Sequence, residues 1–150
     1  MVVKKDVFRI IDANFNRCRE GLRVCEDIIR FTLGCAQITK ELKAVRHDVS
    51  SAIGSSAATS RLLLESRNAK KDIGRLPQPD IESTRKDYVD IFIANMQRVK
   101  ESLRVLEEFF KLIDMNLSLR FLRLRFRIYD IEKRAARRLV SSRCRNRRAA

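Results

Sequence analysis

The sequence predicts an all-α fold, more specifically a four-helix bundle built from two repeated helical hairpins with pseudo-twofold symmetry. The 150 residues include only four glycines and two prolines, so few positions favour turns and the composition suits long helices. Apolar residues recur at spacings of three and four along much of the chain. A segment of the first half also recurs in the second half. The length is that of one domain.

The first half of the chain predicts two helices and a loop. The first helix runs from about residue 7 to 33, and its apolar positions follow the helical period: Phe15, Cys18, Leu22, Cys25 and Ile29. Gly34 favours a stop, and a second, less regular helix is expected from residue 38 to roughly 65. Residues 67–80 combine Asn, Asp, Gly and two Pro without periodicity. They predict the one long loop, which divides the domain in half.

The second half predicts another pair of helices. A third helix is expected over about 81–113, and a fourth over about 117–139. We therefore expect a helical domain at residues 1–139, followed by a basic tail or linker remnant at 140–150. A coiled-coil dimer is the rival architecture.

The two halves share one helical sequence. A shift of 81 residues places ANFNRCREGLRVCEDIIRF (13–31) on ANMQRVKESLRVLEEFFKL (94–112), with these identical pairs: Ala13/Ala94, Asn14/Asn95, Arg17/Arg98, Glu20/Glu101, Leu22/Leu103, Arg23/Arg104, Val24/Val105 and Glu26/Glu107. Shared helical composition does not produce such a match. The second helices match more weakly. The repeat predicts two copies of one hairpin.

The repeat carries polar side chains into the apolar face of each copy. On a helical wheel, Asn14 lies near the middle of the apolar arc and Arg17 just inside its edge, and Asn95 with Arg98 repeats the pattern. Buried amides and guanidinium groups need carboxylates, one another, water or a bound anion as partners. We expect Asn14 and Asn95 to converge if the halves pair. A polar network that fixes helix register explains the pattern, but we favour a site for an anionic ligand.

More than half of the net positive charge comes from the C-terminal residues 133–150. The net charge is +14, and residues 133–150 contain no acid but eight basic residues: Lys133, Arg134, Arg137, Arg138, Arg143, Arg145, Arg147 and Arg148. This tail is a solvated helix end, a linker into another domain or a nonspecific polyanion contact. This concentration of basic residues in the tail argues against a dedicated nucleic-acid-binding domain. The moderately basic remainder suits a phosphorylated ligand.

The cysteines and the hydropathy pattern narrow the class of protein further. The four cysteines form no CxxC pair, and the chain has a single histidine, so neither a zinc site nor a redox dithiol is indicated. Cys18 and Cys25 fall on the apolar face of the first helix and are expected to be buried thiols. No run of about 18 apolar residues and no signal peptide occurs. We therefore predict a soluble, cytoplasmic protein without a membrane segment.

Two further polar clusters are candidates for chemistry. Lys43, Arg46 and His47 crowd one turn of the second helix, where they can bind phosphate while the imidazole acts as acid or base. Arg67 and Asp72 lie in the long loop, where the carboxylate can hold a metal ion. A lone histidine on a helix is usually inert, and a plain turn explains the loop residues equally well. No GxxxxGK[ST], GxGxxG, HExxH or GxSxG motif occurs, so no familiar nucleotide or hydrolase site is present.

Four segments together resemble a known family: RIIDANFNRCREGLRVCEDIIRF (9–31), LKAVRH (42–47), RNAKKDIG (67–74) and ANMQRVKESLRVLEEFFKL (94–112). The chain is similar to the monofunctional hydroxymethylpyrimidine phosphate kinase domain of bacterial thiamine biosynthesis, which is often fused to thiamine phosphate synthase. The resemblance spans roughly residues 6–135, and DANxNRxREGLRVxED is its most specific part. It implies that ATP, with Mg²⁺, phosphorylates 4-amino-5-hydroxymethyl-2-methylpyrimidine phosphate to the diphosphate. Thiamine phosphate synthase is the implied partner.

The resemblance also implies a set of site residues. The catalytic set is Asp12, Arg17, Lys43, His47, Asp72 and Arg98. The substrate-binding set is Asn14, Asn16, Glu20, Arg23, Arg46, Arg67, Asn95, Glu101 and Arg104. Within these sets we expect Arg17, Arg98 and Lys43 to bind phosphates, and Asn14 and Asn95 to bind the pyrimidine or phosphate oxygens. Asp12 or Asp72 is expected to lie near the metal ion or near the attacking phosphate. The acceptor is already an ionised phosphate, so the reaction needs no strong general base.

Two other functions remain open at this point. A noncatalytic helical module could bind nucleic acid or a protein partner through its basic surface, although only the tail supports this reading. A purely structural helix bundle would self-associate without binding a nucleotide or pyrimidine phosphate. The sequence is also compatible with a homodimer, and it identifies no metal ligands.

Overall fold

The computed structural model describes residues 5–75 and 84–149, and the regular structure of these residues is helical throughout. The helices are α1 (Lys5–Ile28), α2 (Ala36–Gly54), α3 (Ala57–Ser66), α4 (Tyr88–Phe110) and α5 (Met115–Ala149). A π-helical turn, Ile29–Leu33, continues α1, and two 3₁₀ turns, Ala69–Lys71 and Ile73–Arg75, follow α3. The predicted all-α class is confirmed for this part of the chain. None of these helices combines the length and apolar character that a membrane span requires.

Local chemistry sets the helix boundaries. Gly34 ends the π-helical turn in the left-handed conformation, with φ of 59°, which glycine adopts without steric penalty. The Ser56 hydroxyl accepts a hydrogen bond from the backbone three residues on and caps α3. Asp87 caps α4, because its carboxylate accepts from the backbone N–H groups of Val89 and Asp90 at 2.9 and 3.1 Å.

Three predicted boundaries are wrong. The second predicted helix is two helices, α2 and α3, because the chain breaks at Ser55 and Ser56 and Ser56 caps a new start. The third begins at Tyr88, where Asp87 provides the cap, and residues 76–83 of the predicted loop and helix start lie outside the described residues. The fourth helix continues past residue 139 to Ala149. No glycine or proline interrupts it, and Arg143 forms an ion pair of 3.0 Å with the Asp87 carboxylate.

The four long helices contact one another in the order α1, α2, α5, α4 and back to α1, and α3 packs on α1 and α2. Their inward faces form one continuous core. It includes the following fully buried side chains: Ile11, Leu22, Ile29, Ile38, Leu42, Phe92, Met96, Leu103, Leu106, Phe110, Phe121 and Ile128. The helix-period pattern of the sequence thus predicts the core well.

Helices α1 and α4 approach closely at Gly21. A Cβ atom at this position would lie 2.9 Å from Cγ2 of Val99 and 3.1 Å from the carbonyl oxygen of Asn95. Further along α1, the Cys25 thiol lies 3.7 Å from the carbonyl oxygen of Phe92. Since later residues of α1 meet earlier residues of α4, the two helices run antiparallel. The absence of a side chain at residue 21 therefore permits their packing distance.

Gly21→Ala is expected to destabilise the fold by about 1–3 kcal/mol, because the new methyl group must displace Val99 or the α4 backbone. Gly54→Ala is the matched control, since nothing lies within 4 Å of a Cβ atom there. Its expected effect is within about 0.5 kcal/mol, or stabilising, because alanine favours helix. Urea unfolding followed by circular dichroism measures both. Equal effects would contradict the close approach of α1 and α4.

The thiols differ sharply in their surroundings. Burial raises the pKa of Cys18 and of Cys25 to about 12 in each case, whereas Cys35 is half-buried and Cys144 is exposed. At pH 8 we expect Cys35 and Cys144 to react with a disulfide reagent such as DTNB within minutes. Cys18 and Cys25 should react only after denaturation, because the thiolate is the reactive form. Four rapidly reacting thiols in the folded protein would contradict the packing of α1.

Candidate functional site

Helix α1 turns a polar face toward α2 and α3, and the groove along this face is the candidate site. Its residues recur at helical spacing: Asp12, Asn16, Arg19, Glu20, Arg23, Glu26 and Arg30. We refer to it as the α1/α2 groove. Three clefts follow one another along it, named here the end cleft, the central cleft and the bulge cleft.

The end cleft lies where α1, α2 and α3 meet and has a volume of about 330 Å³. Its lining combines apolar side chains with polar groups, and the charged ones belong to Asp12, Arg19 and Arg67. The remaining lining residues are Phe15, Ser50, Ile53, Gly54, Ser60, Leu63 and Leu64. Apolar walls with a few fixed polar groups are typical of a site for a small organic ring.

An ion pair between Asp12 and Arg67 closes one side of the end cleft. Nε of Arg67 donates to Oδ2 of Asp12 at 2.8 Å, and Nη2 donates to Oδ1 at 2.7 Å. The Asn16 amide donates to the same carboxylate at 3.3 Å. Asp12 is only 5% exposed, and its hydrogen bonds raise the pKa of Arg67 above its usual value. The pair fixes the end of α3 against α1, and both carboxylate oxygens are engaged.

The central cleft is basic. It has a volume of about 560 Å³ and is lined by Asn16, Arg19, Glu20, Arg23, Val24 and Arg46. Three guanidinium groups thus face one carboxylate. Arg19 also lines the end cleft, so the two clefts adjoin. Such a cluster of arginines, next to a side-chain amide, suits a phosphate group.

A buried carboxylate holds the arginines of the central cleft in position. Glu26 is 3% exposed and accepts a hydrogen bond from Nε of Arg46 at 2.9 Å. Arg23 lies 3.8 Å from Glu26 and 3.5 Å from Asp27. Since a buried carboxylate is costly without partners, Glu26 restrains Arg46 strongly and Arg23 weakly. Arg23 and Arg46 also line the central cleft.

The bulge cleft begins beside the π-helical turn that ends α1. It has a volume of about 510 Å³ and is lined by Glu26, Arg30, Gly34, Ala36, Thr39, Lys40 and Lys43. The Glu26–Arg46 ion pair separates it from the central cleft, because Glu26 lines the first and Arg46 the second.

The groove collects seven of the sequence-predicted site residues: Asp12, Asn16, Glu20, Arg23, Lys43, Arg46 and Arg67. Sequence reasoning missed Arg19, Arg30 and Lys40. Arg19 lies three residues after Asn16 and four before Arg23, so the helical spacing alone would have found it. Arg30 and Lys40 lie on either side of the turn at Gly34, and no sequence motif marks them.

The prediction that Arg17 and Arg98 point toward the core is wrong. Both residues are exposed, and neither lines the α1/α2 groove. An arginine at the edge of an apolar arc can pack its hydrocarbon stem on the helix while its charged group reaches water. Their role in phosphate binding stays a prediction, because neither arginine lines one of the three clefts.

The expected convergence of Asn14 and Asn95 is also wrong. Each amide nitrogen donates to the carbonyl oxygen four residues earlier, at 2.9 Å in both cases. Because α1 and α4 are antiparallel, Asn95 lies opposite Gly21, seven residues and about 10 Å along the helix from Asn14. Asn14 is 7% exposed, and its backbone hydrogen bond satisfies the buried amide.

The remaining predicted residues lie outside the three clefts. His47 is exposed. Asp72 accepts a hydrogen bond from the backbone N–H of Gly74 at 2.9 Å, as in a simple turn. In the second copy of the repeat, Glu101 accepts from the Gln97 amide at 2.8 Å. Arg104 pairs with the following acids at 2.7 and 2.8 Å. The second copy thus forms ion pairs like those of the first but lines none of these clefts.

No cluster of three potential metal-ligating side chains occurs among residues 5–75 and 84–149. A Mg²⁺ ion in the groove would therefore need ligands from bound phosphates in addition to one carboxylate, an arrangement that Mg²⁺ commonly adopts. Glu20 is the one carboxylate among the residues that line the central cleft.

Comparison with known proteins now identifies the family. The ThiD2 family matches residues 9–134 of the chain. The chain belongs to the ThiD2 family. The match contains the whole of the α1/α2 groove. The membership connects this ThiD2 chain with thiamine biosynthesis, as the resemblance implied.

Several similar proteins are thiamine-phosphate synthases. One from Gloeobacter violaceus is 37% identical over 136 residues, which cover 90% of this chain and 38% of that protein. One from Nostoc punctiforme is 36% identical, covering 87% of the chain and 35% of the relative. One from Rhodopirellula baltica is 34% identical, covering 83% and 33%. The ThiD2 chain thus spans little more than a third of the length of these curated relatives. No solved structure matches it.

Arg67→Ala is expected to destabilise the fold by about 1–2 kcal/mol, because it leaves the buried Asp12 carboxylate without its ion-pair partner. The expected loss is no larger because the Arg67 side chain is 48% exposed, and solvent screens its attraction to Asp12. Arg61→Ala is the matched control, since Arg61 forms an exposed pair with Glu65 in the same helix and should change the unfolding free energy little. Denaturant titration measures both. Indistinguishable effects would refute a structural role for Asp12.

Proposed function

We propose that this ThiD2 chain is a kinase that phosphorylates 4-amino-5-hydroxymethyl-2-methylpyrimidine phosphate to the diphosphate, using ATP and Mg²⁺. The observation that carries the proposal is the central cleft, in which Arg19, Arg23 and Arg46 surround a space beside Asn16. Asn16 and Arg23 belong to the most specific motif of the family resemblance. Membership of the ThiD2 family and similarity to thiamine-phosphate synthases support the same pathway.

The pyrimidine ring is assigned to the end cleft and its phosphate to the central cleft. Phe15, Ile53 and Leu63 offer apolar surface to the ring, and the adjoining arginines offer charge-assisted hydrogen bonds to the phosphate. Arg19 lines both clefts and is placed to contact the acceptor phosphate where the two spaces meet. One arginine would then recognise the acceptor as a phosphate ester and not as the free alcohol.

The proposed reaction is an in-line phosphoryl transfer. An oxygen of the acceptor phosphate forms a bond to the γ-phosphorus of ATP, and the bond between that phosphorus and the β,γ-bridging oxygen breaks. The electron pair of the broken bond leaves with ADP. Dianionic acceptor and ATP become diphosphate and ADP with no net proton transfer, so no general base is required. Guanidinium groups of the central cleft stabilise the charge on the transferring oxygens.

Mg²⁺ when bound would neutralise charge on the donor phosphates and help to orient them. Glu20 is the carboxylate assigned to it, with the remaining ligands from phosphates and water. Asp12 is not assigned to it, because Arg67 engages both of its oxygens. The residues of the chain itself bind and orient the two phosphate groups.

We also propose that the helices form two repeated hairpins, related by a pseudo-twofold axis. Glu26 and Glu107 occupy equivalent positions of the repeat, and both are buried. Glu26 pairs with Arg46 of α2 at 2.9 Å, and Glu107 pairs with Arg125 of α5 at the same distance. The same pair recurring on equivalent helices supports a pseudo-twofold relation between the halves. Only the first half, however, forms the groove with α3.

In the pathway that the family resemblance implies, the diphosphate product of this reaction is the substrate of thiamine-phosphate synthase, the name that these relatives carry. These relatives are more than twice as long as this chain. We therefore infer that the diphosphate passes to thiamine-phosphate synthase, either as a separate protein or as a further domain.

ADP release tests the proposed function. Purified protein should release ADP when ATP and the pyrimidine phosphate are both present, and at least tenfold more slowly with the unphosphorylated alcohol. Arg23→Gln should lower kcat/KM by at least tenfold. Arg104→Gln is the matched comparison, because Arg104 is the repeat equivalent of Arg23 with similar ion pairs. It should change kcat/KM less than threefold.

Three results would count against the proposal. Absence of turnover with folded protein would overturn the proposed kinase activity. Faster reaction with the alcohol would overturn the assignment of the acceptor. Equal losses in Arg23→Gln and Arg104→Gln would overturn the assignment of the site to the α1/α2 groove of the first half.

A further inference from the structure

The bulge cleft is a second basic space that the acceptor does not occupy. A π-helical turn, Ile29–Leu33, ends α1, and Gly34 then reverses the chain into α2 with φ of 59°. The turn carries Arg30, which lines the cleft together with Lys40 and Lys43 of α2.

The three cations of the bulge cleft have no carboxylate partner among residues 5–75 and 84–149. The one acid that lines the cleft is Glu26, which is buried and engaged by Arg46 at 2.9 Å. Arg30 lies over the Phe31 ring at 4.9 Å, a contact that leaves its charge uncompensated. Three uncompensated cations around one cleft favour a ligand with several negative charges.

The position of the cleft suggests which anion it binds. The Glu26–Arg46 ion pair forms the partition between the bulge cleft and the central cleft. A phosphate chain lying along the bulge cleft therefore ends at Arg46, on the side opposite to the end cleft. This is the side from which a donor phosphoryl group must approach the acceptor phosphate for in-line transfer.

We propose that the bulge cleft binds the phosphate chain of a nucleoside triphosphate, the phosphoryl donor, with its γ-phosphate directed to the central cleft. Lys40 and Lys43 bind the α- and β-phosphates as point charges, and Arg30 closes the cleft from α1. Arg46 contacts the γ-phosphate. This inference rests on the proposed function for the direction of transfer, but binding of the donor can be measured without it.

Donor binding is tested by calorimetric titration with MgATP in the absence of acceptor. The double variant Lys40→Gln, Lys43→Gln should bind MgATP at least tenfold more weakly than the wild type. The double variant Lys70→Gln, Lys71→Gln is the matched control, since both lysines are exposed in the Ala69–Lys71 turn and line none of the clefts. It should bind MgATP within twofold of the wild type. Circular dichroism confirms that each variant is folded.

Competition identifies the part of the donor that is recognised. Inorganic tripolyphosphate should displace MgATP from the wild type, and adenosine should not, because the cleft contacts the phosphate chain. Competition by adenosine alone would overturn the inference. So would wild-type protein that binds no nucleoside triphosphate, or a Lys40, Lys43 variant with unchanged affinity.

The outcomes separate this inference from the proposed function. MgATP binding that depends on Lys40 and Lys43, without turnover of the pyrimidine phosphate, would support the donor cleft. It would overturn the assignment of the pyrimidine phosphate as the acceptor. Turnover of the pyrimidine phosphate with a KM for ATP unchanged in the Lys40, Lys43 variant would support the kinase and overturn the donor cleft. If both hold, the variant raises the KM for ATP at least tenfold and leaves the KM for the acceptor within twofold.

Discussion

The close packing of α1 on α4 is the constraint on which the rest of the arrangement depends. Gly21 lets the two backbones approach to a distance at which a methyl group would overlap Val99. This contact commits one face of α1 to the core and turns the opposite face toward α2 and α3. The polar residues of that second face then have a groove to line, and the clefts follow from the orientation of one helix.

The buried carboxylate of Glu26 is the second element that organises the groove. An unpaired carboxylate at this depth would be strongly destabilising, so Arg46 is held against it at 2.9 Å. The pair links α1 to α2 and at the same time divides the groove into two basic spaces. Residues that stabilise the fold are thus also the residues that position the charged walls of the proposed site.

The two copies of the repeat differ where the groove is formed. Both contain a buried glutamate paired with an arginine of the neighbouring long helix. Only the first copy has Asn16 beside Asp12, and only the first copy is covered by α3 and its C-terminal arginine, Arg67. In the second copy, the equivalents of Asp12 and Asn16 are Ile93 and Gln97. The buried glutamate–arginine ion pair thus occurs at both copies of the repeated sequence, while the groove is formed once.

The sequence by itself determined the helical class, most of the buried apolar positions and the family, because helical periodicity and the repeated motif are properties of the chain alone. It also indicated Asn16, Arg23, Arg46 and Arg67 as members of one site. It did not determine that Arg17 and Arg98 are exposed, or that Asn14 and Asn95 lie apart. A helical wheel shows which residues share a face, but the neighbouring helices decide what covers that face. Tertiary structure determined three such features: the antiparallel packing of α1 and α4, the break at Ser55 and Ser56, and the docking of α3. They depend on contacts between residues distant in the chain, and the same contacts form the three clefts.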